Sequence, residues 1–268
     1  MNEKSRDTAI LAVSFGTSYH KTREATIGAI ENTIAETFPQ YQVRRAFTSQ
    51  MIINKLAKRD GIYIDNEAQS LKRAAEDGIK YLIVQPTHLM NGTEYHDLKR
   101  DVEEHQELFE GISLGEPLLT DETDFDRVIE AVTEDTAEYS KEGTAILFMG
   151  HGTGAEANHV YFDLQDKLKE QGYHNYYIAT VEAEPTLEDV IPLLKEQGYT
   201  EVVLQPLMIV AGDHATNDMA GDEEDSWKTI LTGEGFAVEC VLKGLGEIEK
   251  IREIFADHVR EAVEKLRR

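Results

Sequence analysis

The chain has a single cysteine, Cys240, among 268 residues. That excludes an internal disulfide and any cysteine-rich zinc or iron–sulfur site within one chain. Long apolar runs are missing too: none approaches the roughly 18 to 20 residues that a membrane span requires. The opening stretch MNEKSRDTAILAVSFGTSYHK has neither the long hydrophobic region nor the small-residue cleavage site of a signal peptide, so cytoplasmic residence is expected. Basic residues are scarce, with 27 Lys and Arg against 51 Asp and Glu and a net charge of −24. A field of that sign repels nucleic acid and anionic membrane, so neither is expected as a partner. Its ordinary meaning is solubility; the alternative is that some carboxylates help to collect a divalent cation. No G-x-x-x-x-G-K-[ST], H-E-x-x-H or G-x-S-x-G is present, which removes the P-loop, zincin and α/β-hydrolase readings.

What is present is strand–helix alternation along the whole chain. Apolar, β-branched runs occur at 8–14, 42–47, 81–86, 144–149, 176–181, 201–207 and 236–242. Segments with helical spacing lie between them, at 19–37, 67–77, 94–109, 124–140, 157–171, 186–197 and 247–266. Several end at glycine, as in EDG before strand 81 and EQG before strand 201, which is a helix-stop signal. This alternation predicts an α/β fold with parallel sheets flanked by helices.

The chain also repeats itself. TAILAVSFGT at 8–17 and TAILFMGHGT at 144–153 are identical at six of ten positions. EDGIKYLIVQP at 76–86 aligns with EQGYTEVVLQP at 196–206, in the same order. Two such matches point to two similar α/β lobes, expected at 1–141 and 142–268, joined by the short polar EYSKEGT. The alignment sets His151 opposite Phe15, and His214 opposite Glu94. Residues the fold needs should persist in both copies, so those that diverge to metal-binding types are candidates for function.

Three second-lobe residues follow carboxyl ends of expected strands: His151 after AILFMG, Glu182 after YYIATV and His214 after VVLQPLMIVAGD. In a parallel sheet those ends share one edge, where ligands bind. Neighbouring strands lie about 4.8 Å apart, so such side chains can converge on one ion. Two imidazoles and a carboxylate suit Co2+, Fe2+, Ni2+ or Zn2+. Gly150 and Gly152 would let the backbone bend and leave the imidazole uncrowded. Singly, each residue has a plainer reading: a hydrogen-bonded loop histidine, a helix N-cap neighbour, a backbone-bonded histidine in GDHATND. A rival for the same stretch is dinucleotide binding, because GHGTGA at 150–155 satisfies G-x-G-x-x-A between a strand and a helix. Against it, Glu182 lies farther from Gly154 than the usual spacing of about 20 residues. Among other histidines, His88 ends the third strand, and His96, His105 and His258 fall on expected helices and are expected at the surface. His159 and His174 flank a helix with no convergent partner.

MGHGT after a strand, TVE ending the next and GDHATNDM after QPLM together resemble the sirohydrochlorin cobaltochelatases, the anaerobic cobalt chelatases of cobalamin synthesis. SFGTSY, AFTSQMI and HLMNGTEYHDL in the first half are similar to that family as well, so the resemblance covers nearly the whole chain. It implies two chelatase-like lobes with an active-site cleft between them, as in the class II chelatases such as protoporphyrin ferrochelatase. It implies His151, Glu182 and His214 as metal ligands, with His151 and His214 catalytic; the repeat, which sets Glu94 opposite His214, adds Glu94 as a catalytic candidate. Ser14, Gly16, Thr17, His88, Asn91, Gly92 and Gly152 would be substrate contacts. The implied partners are sirohydrochlorin (or precorrin-2) and Co2+ as the substrate metal, with no organic cofactor; Fe2+ and Ni2+ insertion are the alternatives of the same fold. A non-catalytic metal or tetrapyrrole carrier is a further reading, and self-association into a homo-oligomer stays open.

Metal insertion exchanges one M2+ for two pyrrole N–H protons, so an ion reservoir and a proton acceptor must face the macrocycle. Neutral imidazole supplies both, since its unperturbed pKa is about 6.5. Fewer than four protein ligands leaves positions open for the macrocycle nitrogens. Glu94 could take or relay a proton; its place at a helix start also suits the helix dipole. The substrate is a polycarboxylate that a protein of charge −24 repels at long range. Local donors are then needed, from the FGTS and HGTG turns or from Lys21, Arg23, Arg44 and Arg45.

Overall fold

The computed structural model describes residues 7–267. It begins with β1 (Thr8–Ser14), α1 (His20–Arg23), a π-turn (Glu24–Gly28) and α2 (Ala29–Thr37). There follow β2 (Gln42–Phe47), α3 (Gln50–Asp60), α4 (Glu67–Glu76), β3 (Tyr81–Pro86), α5 (Thr93–His105) and β4 (Gly111–Leu114). The pattern then repeats with α6 (Glu122–Asp135), β5 (Thr144–Gly150), α7 (His159–Glu170), β6 (Tyr176–Thr180), α8 (Leu187–Glu196) and β7 (Glu201–Pro206). A second π-turn (Ala215–Met219), α9 (Trp227–Gly233), β8 (Ala237–Cys240) and α10 (Glu249–Leu266) complete it.

Both sheets are parallel, ordered β2-β1-β3-β4 and β6-β5-β7-β8. The duplication extends to register: Val13 pairs with Pro86 in one, Met149 with Pro206 in the other. Ala9–Val13 and Ala145–Met149, in the inner strands β1 and β5, are wholly buried. Helices cover both faces of such a sheet, which is why these strands read as continuous apolar runs rather than alternating ones. Asn66, Asp121 and Thr186 close capping boxes at the starts of α4, α6 and α8, each worth about 1 kcal/mol. None of the helices among the described residues is long and apolar enough to cross a membrane.

The chain divides differently from the expected break near 142. One compact unit holds the described residues up to Thr120 together with those from Glu249 onward; Asp121–Ile248 form the other. Physical causes lie at both ends of the second unit. Helix α6 belongs there because Lys167 on α7 pairs with Glu122 and Asp126, at 2.6 and 3.2 Å. Thr136, just past α6, bonds the Tyr176 hydroxyl of β6 at 3.0 Å. Helix α10 returns to the first unit, burying Ile251, Ile254, Phe255 and Val259 against α2, β3 and β4. Glu116 fastens it: its carboxylate accepts from Tyr95 at 3.0 Å and pairs with Lys265 at 3.1 Å. The Glu116 carbonyl accepts from His258 Nδ1 at 3.2 Å. His258, expected at the surface, is therefore buried, because this helix turns it inward to that carbonyl.

Phe255→Ala should destabilise the protein by about 3–5 kcal/mol, the usual cost of emptying a buried phenylalanine site. Chemical denaturation checks this; a loss under about 1 kcal/mol would mean that α10 is not packed as described.

Candidate metal centre

His151 is the first residue past β5, and its surroundings explain both neighbouring glycines. A Cβ on Gly150 would collide with the ring of Tyr161, a buried residue of α7. Gly152 has φ +83°, and a Cβ there would stand 2.7 Å from Thr180 Oγ1 and 2.8 Å from the Ala183 nitrogen. The glycines thus serve close packing as well as the bend. Tyr161 supports the turn from beneath, its hydroxyl accepting the Gly152 amide at 3.3 Å. Burial raises the Tyr161 pKa, offset in part by the backbone amides of Gly152 and His151.

Backbone hydrogen bonds then continue beyond the two strand ends. The Val181 amide donates to the Gly150 carbonyl at 3.1 Å, and the Glu182 amide to the His151 carbonyl at 2.9 Å. Consequently Glu182 is locked beside His151 by backbone. The following turn is tied down by Thr180 Oγ1 to the Ala183 carbonyl at 2.5 Å and by Asn158 Nδ2 to the Glu184 carbonyl at 2.6 Å.

His214 lies eight residues past β7 and arrives by a loop held from the side. Leu245 and Gly246 donate to the carbonyls of Met208 and Ile209, at 2.8 and 3.0 Å. A Cβ on Gly244 would sit 2.6 Å from the Ile209 carbonyl, so the segments meet backbone to backbone. After His214 comes the π-turn, anchored by the fully buried Ala215 and Met219.

His151, Glu182 and His214 each offer a ligand atom, and these atoms all lie within 4.8 Å of one another. The imidazole centroids are 4.7 Å apart with planes at 88°, and His151 Nδ1 is 3.8 Å from Glu182 Oε2. The side chains are 48%, 56% and 33% exposed, so an ion could reach them. Hydrogen bonds settle which nitrogen each ring presents. His151 Nδ1 lies 2.8 Å from the Gly152 carbonyl, which can only accept, so that nitrogen carries the proton. His214 Nδ1 lies 2.5 Å from Asp218 Oδ2. In both rings Nε2 remains for a ligand. Two imidazoles and one carboxylate at a strand edge make a borderline-hard, three-donor site that suits a late first-row divalent ion.

The same geometry disposes of the dinucleotide reading. Backbone amides that would cradle a phosphate are spent internally: Gly152 on the Tyr161 hydroxyl, Thr153 on Asn158 Oδ1 at 3.0 Å, and Ala155 on Thr153 Oγ1 at 3.2 Å. Helix α7 starts only at His159, after a 3-10 turn at Glu156–Asn158, so its N-terminus does not follow the glycines.

The remaining expected site residues belong to the first unit. Ser14 ends β1 with its hydroxyl 2.7 Å from that of Thr87. Gly16 has φ +98° and packs against Phe47, leaving no room for a Cβ. Thr17 is buried, its hydroxyl accepting the Tyr19 amide at 3.2 Å. Gly92 is the N-cap of α5, Glu94 stands exposed in its first turn, and Asn91 is exposed just before it. His88 is buried, and neither ring nitrogen has a partner among the described residues. Both ring nitrogens are shielded from a ligand outside the protein in this structure. Of the four basic candidates, Arg44 is paired with Asp77, and Arg45 grips Glu31 in two bonds of 2.7 and 2.6 Å. Both guanidiniums answer the protein's own carboxylates. Arg23 is buried beside Glu24, while Lys21 is exposed. Tyr161, Asn158 and Asp218 all shape the site and escaped the sequence reading; only Asp218 carried a signal, its i+4 spacing from His214.

With the site in place, its likenesses can be judged. The fold is similar to that of chelatases: the sirohydrochlorin chelatase SirB from Bacillus subtilis subspecies spizizenii, solved in complex with cobalt, superposes with a TM-score of 0.64. That match covers 97% of this chain and 96% of SirB at 13% identity, a likeness of fold alone. The chain belongs to the cobalt chelatase (CbiK) family, whose sequence profile matches residues 8–264. It is 40% identical to the sirohydrochlorin cobaltochelatase of Salmonella typhimurium, over 95% of this chain and 96% of that one. Against the sirohydrochlorin cobaltochelatase CbiKC of Nitratidesulfovibrio vulgaris the identity is 34%, over 96% and 91%.

His88 generates a prediction about stability. Burial pushes its pKa down from 6.5 to about 4. The folded protein then holds it neutral while the unfolded chain protonates it below pH 6.5, so its contribution is present above that pH. It is lost progressively as pH falls toward 4, by about 3 kcal/mol in total for a shift of this size. His88→Gln should have a shallower loss of unfolding free energy than the parent between pH 6.5 and 4. Equal slopes would show that His88 titrates normally.

Proposed function

We propose that this protein inserts Co2+ into sirohydrochlorin in the anaerobic route to cobalamin, working in the cytoplasm. The observation that carries the proposal is the cluster of His151, Glu182 and His214, with both Nε2 atoms free and all three side chains open to solvent. The two relatives named sirohydrochlorin cobaltochelatase support the choice of metal and macrocycle. In this reading the imidazoles and the carboxylate hold the substrate ion, and the single negative charge of Glu182 lowers its net charge without caging it. Three protein ligands leave positions for pyrrole nitrogens. As the ion passes to the macrocycle, two N–H protons must leave; the freed imidazoles accept them. Glu94, the counterpart of His214 in the repeat, serves as a second acceptor, and the turns at Ser14, Gly16, Thr17, Asn91, Gly92 and Gly152 contact the substrate. Fe2+ and Ni2+ suit the same donor set, so the metal must be decided by comparing rates.

An anaerobic assay with sirohydrochlorin and either Co2+ or Fe2+, followed by absorbance, tests this. His151→Ala and His214→Ala should each lower kcat/KM by about 100-fold or more, the scale of losing a positioned proton acceptor, and Glu94→Gln should slow turnover. Parent-like rates in the two histidine variants would refute the site. Because protein and substrate are both anionic, raising ionic strength should lower KM for sirohydrochlorin, as salt screens their repulsion over about 8 Å at 0.15 M. A KM that rises with salt would instead reveal attractive charge pairs at the substrate carboxylates.

A further inference from the structure

The two imidazoles of the cluster are oriented by unlike acceptors. His151 Nδ1 donates to a neutral backbone carbonyl, whereas His214 Nδ1 meets the Asp218 carboxylate at 2.5 Å. A carboxylate behind a ligating histidine fixes its tautomer and ring orientation and strengthens it as a donor. From this we infer that Asp218 is a positioning residue for His214, making it the ligand that retains the ion while His151 is the one that yields it. The inference rests on the metal reading of the cluster and deepens it.

The plain alternative is an incidental i,i+4 pair on a helical turn, and the chain contains such a pair for comparison. His159 and Asp163 have the same spacing, but there the contact uses Nε2 at 3.5 Å while Nδ1 is taken by the Glu156 carbonyl at 2.5 Å. Both His159 nitrogens are thus occupied, and that ring has none left to give. At His214 the carboxylate takes Nδ1 and leaves Nε2 without a hydrogen bond, available to an ion. The π-turn contributes as well. Ala215 and Met219 are buried, while the adjacent His214 and Asp218 stay 33% and 45% exposed on a neighbouring face. Single-turn π segments of this kind are frequent at functional sites. Asp218 itself is 45% exposed, so its removal should leave the fold standing.

The test is anaerobic Co2+ titration without tetrapyrrole, by calorimetry and by the visible ligand-field spectrum of the bound ion, on parent, Asp218→Ala, Asp218→Asn, Asp218→Glu, His151→Ala and His214→Ala proteins. Asp218→Ala should weaken Co2+ binding by 10- to 100-fold, the range for removing the hydrogen-bond partner of a metal-bound histidine. Asp218→Asn should fall between it and the parent, and Asp218→Glu should regain most of the loss. In steady state the Asp218→Ala defect should lie in KM for Co2+, with KM for sirohydrochlorin unchanged. His214→Ala should bind Co2+ more weakly than His151→Ala. If His214→Ala loses Co2+ while Asp218→Ala binds within twofold of the parent and with the same spectrum, the role of Asp218 is refuted and the metal site stands. If both histidine variants bind Co2+ like the parent, the metal reading fails and this inference with it.

Discussion

The hydrogen bond from the Glu182 amide to the His151 carbonyl, 2.9 Å long, ties the two chain segments together just past the ends of β5 and β6. Because that bond is backbone to backbone, the spacing of the imidazole and the carboxylate does not depend on long, entropically costly side chains finding each other. The sheet order β6-β5-β7 then places the chain that leads to His214 on the opposite side of β5. Everything chemical about the site follows from these two facts: a first donor at the end of the middle strand, and one from each flank. Tyr161 beneath the turn and Gly152 at φ +83° let the backbone pass through that point, and neither tolerates a larger neighbour.

Duplication supplied the scaffold twice, and the cluster of two histidines and a glutamate lies in one copy. Both units have a glycine with positive φ just past the middle strand, Gly16 and Gly152, each closed against a neighbouring side chain. At the position before it the first unit carries Phe15, half exposed, where the second carries His151. The glutamines before the two matching prolines, Gln85 and Gln205, are both fully buried. Retained residues thus mark what the sheet edge requires, and replaced ones mark what distinguishes the two edges.

Much of this was legible beforehand for definable reasons. Strands β1, β2, β3, β5, β6, β7 and β8 stand where apolar runs predict them, and His151, Glu182 and His214 converge as strand-end residues of one sheet should. Strand β4 has only Ser113 buried, so no apolar run announces it, and it owes its existence to pairing with β3. Helix α3 buries only Ile53 and Leu56, and α9 only Trp227 and Leu231, so their apolar faces were too sparse to detect. The lobe boundary was misplaced because the return of α10 is a tertiary choice, written in where its apolar face docks and not in its own periodicity. Tyr161 and Asn158 act on the site from within or before a helix, and nothing in local spacing connects them to a turn.

The central claim concerns where an ion sits, and anomalous diffraction addresses it most directly. Crystals grown anaerobically with Co2+ and no tetrapyrrole should give a peak at the cobalt edge bonded to Nε2 of His151, Nε2 of His214 and a carboxylate oxygen of Glu182. Remaining positions should be filled by water, and Asp218 should stay on His214 Nδ1. A peak bound through Nδ1, or seated on other carboxylates of this acidic protein with the three residues empty, would contradict the account.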